Sequence, residues 1–303
     1  MKILYTGSNG LLGQKLAAAT LQYPQHQFLA TSRGENRTAH LGSADYASMD
    51  IADAEDVLRV VTGFQPDTII HAAAMTNVDQ CELDQEQATL LNVAGTRNIV
   101  NAARACGAHL VHLSTDFIFD GADGPYDEAA TPNPLSFYGH TKLEAENIVR
   151  TLPSWSILRT VLVIGLAEDL SRSNIVLWAK GALEKGQPIS VVDDQFRTPT
   201  WAEDLAQGTL LAADQSAQGV FNIAGPDYMS IFELVERVAK FYHLSTANVQ
   251  RVDSTTLNQP AKRPPITGLK IEKAIQELGY RPHSFEEALQ KMAEQAKDIS
   301  RKA

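Results

Sequence analysis

Cysteine is scarce in this chain of 303 residues. Its two cysteines, Cys81 and Cys106, are too few for a disulfide framework and lack the spacing of a metal site, so we expect packing residues in a reducing compartment. Long apolar runs are missing as well: none could span a membrane, and the run after Met1 is too short for a signal peptide. The sequence therefore predicts a soluble, cytoplasmic protein without a metal site.

Basic residues are in deficit, since 26 lysines and arginines stand against 36 acidic residues and give a net charge of −10. This balance argues against nucleic acid or an anionic membrane as a partner, although a local basic patch could still face a charged cofactor. Internal repeats and low-complexity segments are also absent. A hydrophobic content of 44% is ordinary for a globular protein, and the length suits one large domain or two small ones.

The first motif present is a glycine segment directly after a short β-rich run, Lys2–Thr6, and before an apolar-periodic helix. Strand, glycine turn and helix in this order form the context that a dinucleotide fingerprint requires, although the spacing here is G-x-x-G-x-x-G. The glycines permit a tight turn and a close approach of the backbone to a pyrophosphate at the helix N-terminus. The residues predicted to contact the cofactor in this segment are Gly7, Asn9, Gly10, Leu11, Leu12 and Gly13.

A second strand, Gln27–Thr31, ends in Ser32 and Arg33. An acidic residue at the end of this strand would hold the ribose 2′-hydroxyl of NAD, whereas a hydroxyl and a guanidinium suit a 2′-phosphate. The sequence therefore predicts NADPH as the cofactor, with NADH tolerated. The alternative is that Arg33 is a solvated loop residue.

Two further strands are predicted, Tyr46–Met49 and Thr68–His71. The first leads into a position where an adenine could pack. The second leads into three alanines, which either let a cofactor lie close to the backbone or pack beneath a helix. The residues predicted to contact the cofactor after these strands are Asp50, Ile51, Ala72, Ala73 and Ala74.

A strand that ends in Ser114-Thr115-Asp116 precedes a helix that carries Tyr138 and Lys142 four residues apart. Residues with this spacing share a helix face, so the Lys142 ammonium is expected below the Tyr138 phenol. A nearby cation lowers the pKa of a phenol from its usual value of about 10, and such a tyrosine can exchange a proton during hydride chemistry. The hydroxyl of Thr115 or Ser114 would polarise the same carbonyl. By itself, Y-x-x-x-K is more often an ordinary surface pattern.

Strands and helices alternate along this part of the chain, which predicts the α/β class with a Rossmann-type doubly wound parallel sheet. Ligands bind beyond the carboxyl ends of such strands, and every segment singled out above lies there. A long helix is expected over Asp84–Ala105, with the polar Asn92 in an apolar face. We predict a dinucleotide-binding domain over 1–160, which also receives elements from about 200–225, and a smaller α/β substrate lobe over 161–303.

Five motifs, in order, resemble those of the extended short-chain dehydrogenases/reductases, and the resemblance covers nearly the whole chain. They are TGSNGLLG (Thr6–Gly13), HAAA (His71–Ala74), LNVAGTRNIV (Leu91–Val100), STD (Ser114–Asp116) and YGHTK (Tyr138–Lys142). The resemblance implies that Tyr138 is the proton donor and that Thr115 completes the catalytic triad. It also implies that Lys142 lowers the pKa of Tyr138 and binds the nicotinamide ribose.

Within that family the chain is most similar to the dTDP-4-dehydrorhamnose reductases, in STDFIFDG, PYDE, NPLSFYGHTKLEAE, AAMTNVDQCE and DDQFRTPTWAEDLA. This similarity implies reduction of the C4 ketone of a nucleotide-linked 6-deoxyhexose. The substrate contacts that it implies are Thr76, Thr115, Asp116 and Phe117. A 4,6-dehydratase typically has Asp-Glu after the threonine, and Phe117 replaces that glutamate. Epimerases usually have small residues after the strand-end serine, so reduction is favoured.

Leu162 departs from that pattern, because a tryptophan that stacks on the sugar is expected at this position. Trp178 or Trp201 is a candidate to supply the missing aromatic face. A binding subunit similar to the β regulatory subunit of methionine adenosyltransferase is the competing interpretation, and a reductase of another small carbonyl compound is a third. The sequence leaves the oligomeric state open, and a homodimer is compatible with it.

Overall fold

The computed structural model describes residues 1–39, 41–42, 45–168 and 174–302. Its main element is a sheet of seven parallel strands, in the order β3-β2-β1-β4-β5-β6-β11. Numbered along the chain, these strands are β1 (Lys2–Thr6), β2 (Gln27–Ser32), β3 (Tyr46–Ser48), β4 (Thr68–His71), β5 (His109–Thr115), β6 (Trp155–Thr160) and β11 (Gly219–Asn222). The chain reverses its direction of travel across the sheet between β1 and β4, which opens a crevice at their carboxyl ends. The predicted α/β class and Rossmann-type sheet are confirmed.

The remaining strands of the described part are short and form three two-stranded ladders outside the central sheet. They are β7 (Val163–Ile164), β8 (Ile189–Val192), β9 (Phe196–Arg197), β10 (Thr200–Trp201), β12 (Met229–Ser230) and β13 (Val249–Val252). β7 pairs with β10, β8 with β13, and β9 with β12. β7, β9, β10 and β12 have two residues each, which is too short for a strand alternation to be read from the sequence.

Ten α-helices are described in the same part of the chain. They are α1 (Leu11–Thr20), α2 (Ala54–Phe64), α3 (Val78–Leu83), α4 (Gln85–Thr89), α5 (Gly95–Cys106), α6 (Phe137–Val149), α7 (Ile175–Glu184), α8 (Ala202–Asp214), α9 (Ile231–Tyr242) and α10 (Phe285–Lys302). A π-helical turn, Leu90–Ala94, joins α4 to α5, so the predicted long helix is one stretch with a widened turn. A second π-helical turn, Ala274–Leu278, precedes α10. None of these helices is long and apolar enough to cross a membrane.

The core lies on both faces of the central sheet because successive residues of β1 point to opposite sides. Ile3 and Tyr5 pack in one cluster with residues of α1 and α8, whereas Leu4 packs in a second cluster with residues of α2, α5 and α6. A third cluster joins α7, α9 and α10 away from the sheet. The boundary between two domains near residue 160 stays a prediction, since α8 and β11 return to the sheet from the later part of the chain.

A buried ion pair ties α6 to the sheet. Glu146 accepts hydrogen bonds from the Arg159 guanidinium at 3.0 and 2.9 Å and from the Ser114 hydroxyl at 2.7 Å. Arg150 reaches the same carboxylate at 2.8 Å from the helix end. These partners hold the pKa of Glu146 below its usual range although burial opposes ionisation. The registration of α6 on β5 and β6 therefore depends on this carboxylate.

We expect Glu146→Ala to destabilise the protein by about 3–5 kcal/mol, because Arg159 would stay buried without its partner. The Arg159 side chain is only 2% exposed and the Glu146 side chain 0%. Glu184→Ala is the matched control, since it breaks a solvent-exposed pair with Lys180 and should cost less than about 1 kcal/mol. Urea denaturation of both variants measures the difference. Equal and small losses in the free energy of unfolding of the two variants would contradict the importance assigned to the buried pair.

Candidate active site

A cleft of about 940 Å³ lies at the carboxyl ends of the central strands, and all the residues predicted to contact cofactor or substrate line it. They come from β1 and α1, from the ends of β2, β3, β4 and β5, and from α6. The sequence motifs, which are far apart along the chain, are thus brought to one place. What the individual side chains do there depends on their hydrogen-bond partners.

The glycine segment forms a cradle at the start of α1. The backbone at Gly7 has a φ of +78°, and a Cβ on Gly13 would come within 2.2 Å of the Gly7 carbonyl oxygen. Gly10 precedes the helix and offers no side-chain cap. The first-turn N–H groups therefore have no side-chain partner at Gly10, which fits an anionic pyrophosphate laid against them.

Thr6 joins this cradle to the end of β4. Its hydroxyl accepts hydrogen bonds from the N–H groups of Ala72 and Ala73 at 3.2 and 3.0 Å and shares a third, of 2.9 Å, with Nδ1 of His71. A Cβ on Gly7 would lie 3.0 Å from the Ala73 nitrogen. The strand end at Ala72 and Ala73 thus packs closely against Thr6 and Gly7, and the contact of these alanines with a cofactor stays a prediction.

The rim of the cleft holds the groups predicted to select the cofactor. Arg33 is 75% exposed, and its guanidinium lies 3.9 Å from the Asp50 carboxylate. Asn9 lines the cleft, but its side-chain amide donates to the Glu35 carbonyl at 2.8 Å and accepts from the Arg37 N–H at 2.9 Å. Asn9 thus shapes the loop after β2, and its assignment as a direct cofactor contact stays a prediction.

Tyr138 lies in the first turn of α6, which two side chains fix in place. The Ser136 hydroxyl caps the helix by accepting from the Gly139 N–H at 3.2 Å, and the Glu82 carboxylate accepts from the Phe137 N–H at 3.0 Å. The Tyr138 ring stacks edge-on against Phe117, with 5.9 Å between centroids. Packing against Phe117 therefore holds the ring of Tyr138, and the two capping contacts fix the helix turn that carries it.

Burial raises the pKa of Tyr138, with smaller contributions in the same direction from Asp116 and Cys81, while the Thr115 hydroxyl acts the opposite way. The net shift of the Tyr138 pKa is upward, and a lowering effect of Lys142 on this phenol stays a prediction. Sequence spacing placed the cation on the correct helix face but did not include the cost of burying a phenolate. A buried tyrosine with a raised pKa is protonated at neutral pH.

Lys142 instead extends toward β5. Its ammonium donates to the Leu113 carbonyl at 2.7 Å and lies 3.3 Å from Nε2 of His112. Burial lowers the pKa of Lys142 from its ordinary 10.5 to about 8, against the opposing effect of Glu146. Burial also lowers the pKa of His112 and of His71 beside it, so neither ring competes with the ammonium as a second positive charge.

The two candidate hydroxyls at the end of β5 have different partners. Ser114 also lines the cleft, but its hydroxyl already donates to Glu146, so Thr115 remains the candidate. The Thr115 hydroxyl donates to one Asp116 oxygen at 3.0 Å and accepts from the Phe117 N–H at 3.2 Å. The other Asp116 oxygen accepts from a threonine of the C-terminal half. Asp116 lines the cleft, but both its oxygens already have protein partners, and its predicted contact with substrate stays a prediction.

Asn92 lies in the π-helical turn between α4 and α5. Its amide accepts from the Met75 N–H at 2.8 Å and donates to the Met75 carbonyl at 3.1 Å and the Thr141 hydroxyl at 3.0 Å. It is therefore a satisfied buried amide and also fixes the backbone beside the cleft.

Sequence reasoning did not place six cleft residues of the C-terminal half at the site, because it assigned them to helices or connectors without a functional role. They are Asn174, Ile175, Gln195, Arg197, Ile231 and Arg263. The DDQFRTPT block was the available signal, and two of these residues lie in it. Arg263 pairs with Asp79 of α3 at 2.6 Å, which links the C-terminal half to the Rossmann half.

Leu162 lines the cleft in a left-handed backbone conformation, with a φ of 42°. Trp201 is buried against His283 with 5.0 Å between ring centroids, and Trp178 lies on α7 and is 41% exposed. Neither tryptophan is among the residues that line the cleft. The expectation that one of them replaces the missing aromatic face is therefore wrong.

Comparison with known proteins gives a consistent result. A family model described as the RmlD substrate binding domain matches residues 1–298. Methionine adenosyltransferase 2 subunit beta from Danio rerio is 30% identical over 269 residues, which cover 87% of this chain and 80% of that protein. The dTDP-4-dehydrorhamnose reductase of Aggregatibacter actinomycetemcomitans is 29% identical over 301 residues, or 95% of this chain and 97% of that protein.

A solved structure supports the same relationship. The dTDP-4-dehydrorhamnose reductase from Bacillus anthracis in complex with NADP superimposes with a TM-score of 0.81 at 28% identity, covering 97% of this chain and 99% of that one. The resemblance inferred from the five motifs is confirmed. Two of these relatives are named as reductases and one as a subunit, so the family by itself leaves the activity to be argued from the site.

The pKa of Lys142 predicts a specific pH dependence of stability. Between about pH 8 and pH 10.5 the unfolded chain keeps a proton on this side chain that the folded chain has lost, so the folded state gains stability as pH rises. Relative to Lys142→Met, the wild-type free energy of unfolding should rise by about 1–3 kcal/mol across this window. Urea denaturation at several pH values measures both proteins. Parallel pH curves would show that Lys142 titrates normally.

Proposed function

The chain belongs to the RmlD substrate binding domain family, and from this premise we propose that it is an NAD(P)H-dependent reductase of a nucleotide-linked 4-keto-6-deoxysugar. We propose that its substrate resembles dTDP-4-dehydrorhamnose. The observation that carries the proposal is the meeting of Thr115, Tyr138 and Lys142 with the glycine cradle in one cleft. A proton donor, a polarising hydroxyl and a pyrophosphate site are the parts that carbonyl reduction needs.

A nicotinamide cofactor held in this cleft would supply the hydride for reduction of the carbonyl carbon to an alcohol carbon. Tyr138, which is protonated at neutral pH, gives its phenolic proton to the carbonyl oxygen; since a raised pKa makes it a weaker acid than a free phenol, this proposed role rests on its position in the cleft. Thr115 donates a hydrogen bond to the same oxygen as negative charge develops there. Lys142 holds the ribose of the cofactor and provides a positive charge beneath the reacting groups.

We assign the cofactor to residues 1–160 and most of the sugar nucleotide to residues 161–303. NADPH is the preferred cofactor in this proposal, with NADH accepted. The NADP named for the Bacillus anthracis relative and the exposed guanidinium of Arg33 support this choice. Thr76 and Phe117 are the remaining proposed sugar contacts. The aliphatic Leu162 removes a stacking surface, so the sugar is held by edge and polar contacts.

A regulatory subunit without catalysis is the second candidate, favoured by the 30% identity to the Danio rerio subunit. The presence of all three proposed catalytic side chains in the cleft speaks for an enzyme. Purification of the full chain from its own cells distinguishes the candidates, because a subunit would be recovered with a larger enzyme. A reductase of another small carbonyl compound would act alone but on a different substrate.

The proposal is tested by following nicotinamide absorbance with dTDP-4-dehydrorhamnose, separately with NADPH and NADH. We expect turnover by the wild type and a loss of about 10²–10⁴-fold in kcat for Tyr138→Phe, the usual contribution of a general acid. Tyr5→Phe is the matched control, because its buried hydroxyl has no partner among the described residues and does not line the cleft. Activity retained by Tyr138→Phe would remove this residue from the acid role, and no turnover with any ketosugar would reject the reductase.

Arg33→Asp should shift the preference toward NADH, since a carboxylate repels the 2′-phosphate and accepts from a 2′-hydroxyl. The expected change in the ratio of kcat/KM values is at least about tenfold, the effect of one charged hydrogen bond. Arg37→Asp is the control, because Arg37 follows the same strand but does not line the cleft. Equal changes in the two variants would mean that Arg33 acts only through general surface charge.

A further inference from the structure

The segment Pro264–Leu269, which we call the strap, runs from the C-terminal half to the end of β5. Arg197 fastens its beginning by donating to the Pro264 and Pro265 carbonyls at 2.7 and 2.9 Å. Two neighbouring residues bind the remainder of the strap. The Phe196 carbonyl accepts a hydrogen bond from the Thr267 N–H, and the Thr198 hydroxyl accepts one from the Leu269 N–H. The strap is thus bound by three consecutive residues of one short strand and its flank.

Thr267 connects the strap to the proposed catalytic strand. Its hydroxyl donates to the Asp116 oxygen that Thr115 does not use, and Arg197 lies 3.7 Å from that same oxygen. Asp116, Arg197 and Thr267 are all nearly inaccessible to solvent. Asp116 is therefore a buried carboxylate whose partners are one hydroxyl from its own strand and two groups from the later half of the chain.

We propose that Thr267 and Arg197 are positioning residues that hold Asp116 as a carboxylate and so control the direction of the Thr115 hydroxyl. The inference rests on the proposed function. Neither residue touches the reacting atoms in this proposal. They act through Asp116, which in turn accepts the hydrogen of Thr115.

The physical reason lies in what Thr115 has to do during the reaction. Its hydrogen is directed at Asp116, and it must turn to the carbonyl oxygen of the substrate. Leaving a buried carboxylate without a donor is costly, and the cost is small only if other donors remain. Thr267 remains as a donor and Arg197 as a positive charge 3.7 Å away, so Asp116 can release the Thr115 hydrogen and stay ionised.

The charged and titratable groups around Asp116 come from several elements. Arg197 of β9 favours its ionised form, Tyr138 of α6 faces it, and burial raises the pKa of the carboxyl. Around Arg197 lie Arg263, which precedes the strap, together with Asp194 and Tyr228. Loss of the Thr267 donor removes one of the contacts that favour the carboxylate, so the pKa of Asp116 should rise further.

Thr267→Val tests the inference because it removes the hydroxyl and keeps the shape of the side chain. We expect a fall in kcat of roughly tenfold with little change in KM, since the Thr115 contact to the oxygen strengthens only in the transition state. The acid limb of the pH profile of kcat should move up by about one pH unit. Thr267→Ser, which keeps the donor, should restore both values.

Thr198→Val is the matched control, because it also removes a buried threonine hydroxyl that binds the strap but does not contact Asp116. It should lower Tm without moving the acid limb. If Thr267→Val and Thr198→Val give the same pH profile as the wild type, the inference is overturned. If Thr267→Val does not fold, Thr267→Cys, with a weaker donor of similar size, takes its place.

A titration of Asp116 by NMR, with the aspartate carboxyl carbons labelled and Asp116→Asn used for assignment, separates this inference from the proposed function. If the wild type reduces no ketosugar, the proposed function fails, and the titration still decides the inference. A midpoint that rises in Thr267→Val and returns in Thr267→Ser supports it. An unchanged midpoint in Thr267→Val overturns it, whatever the activity.

Discussion

Glu146 cannot be buried alone, and the need to neutralise it determines how the helix that carries Tyr138 meets the sheet. A buried carboxylate needs donors at both oxygens. Two neighbouring strands supply them, through Ser114 of β5 and Arg159 of β6. Lys142, one turn earlier on the helix, is thereby held against β5, where its ammonium donates a hydrogen bond to the Leu113 carbonyl. The geometry of the cleft thus depends on an ion pair that is not part of it.

Local patterns were sufficient to predict the Rossmann half. The glycine segment, the alternation of strands and helices, and the four-residue spacing of Tyr138 and Lys142 are all short-range features, and each is expressed at the expected place in the fold. The same patterns predicted which residues line the cleft on the cofactor side. They could not give the direction in which the pKa of Tyr138 shifts, because that direction depends on how completely the finished fold excludes water.

The cleft residues of the C-terminal half could not be predicted from the sequence for a different reason. The strap, Arg197 and Arg263 have no helical or strand period, and their partners Asp116 and Asp79 are far away in sequence. Such contacts follow from the tertiary arrangement and leave no periodic pattern in the sequence. Helix α3 is a second example, because its six residues show little periodicity. It contacts the C-terminal half through Asp79 and the first turn of α6 through Glu82.

The long separation between Asp116 and Thr267 also affects how the protein is made. The two residues are 151 positions apart, so at ordinary rates of synthesis the carboxylate precedes its partner by roughly 8–30 s. During that time the Rossmann half can already form most of its local contacts, yet it has no means of neutralising this group in a dry interior. We therefore expect the end of β5 to stay hydrated during synthesis until Thr267 has emerged and can reach Asp116.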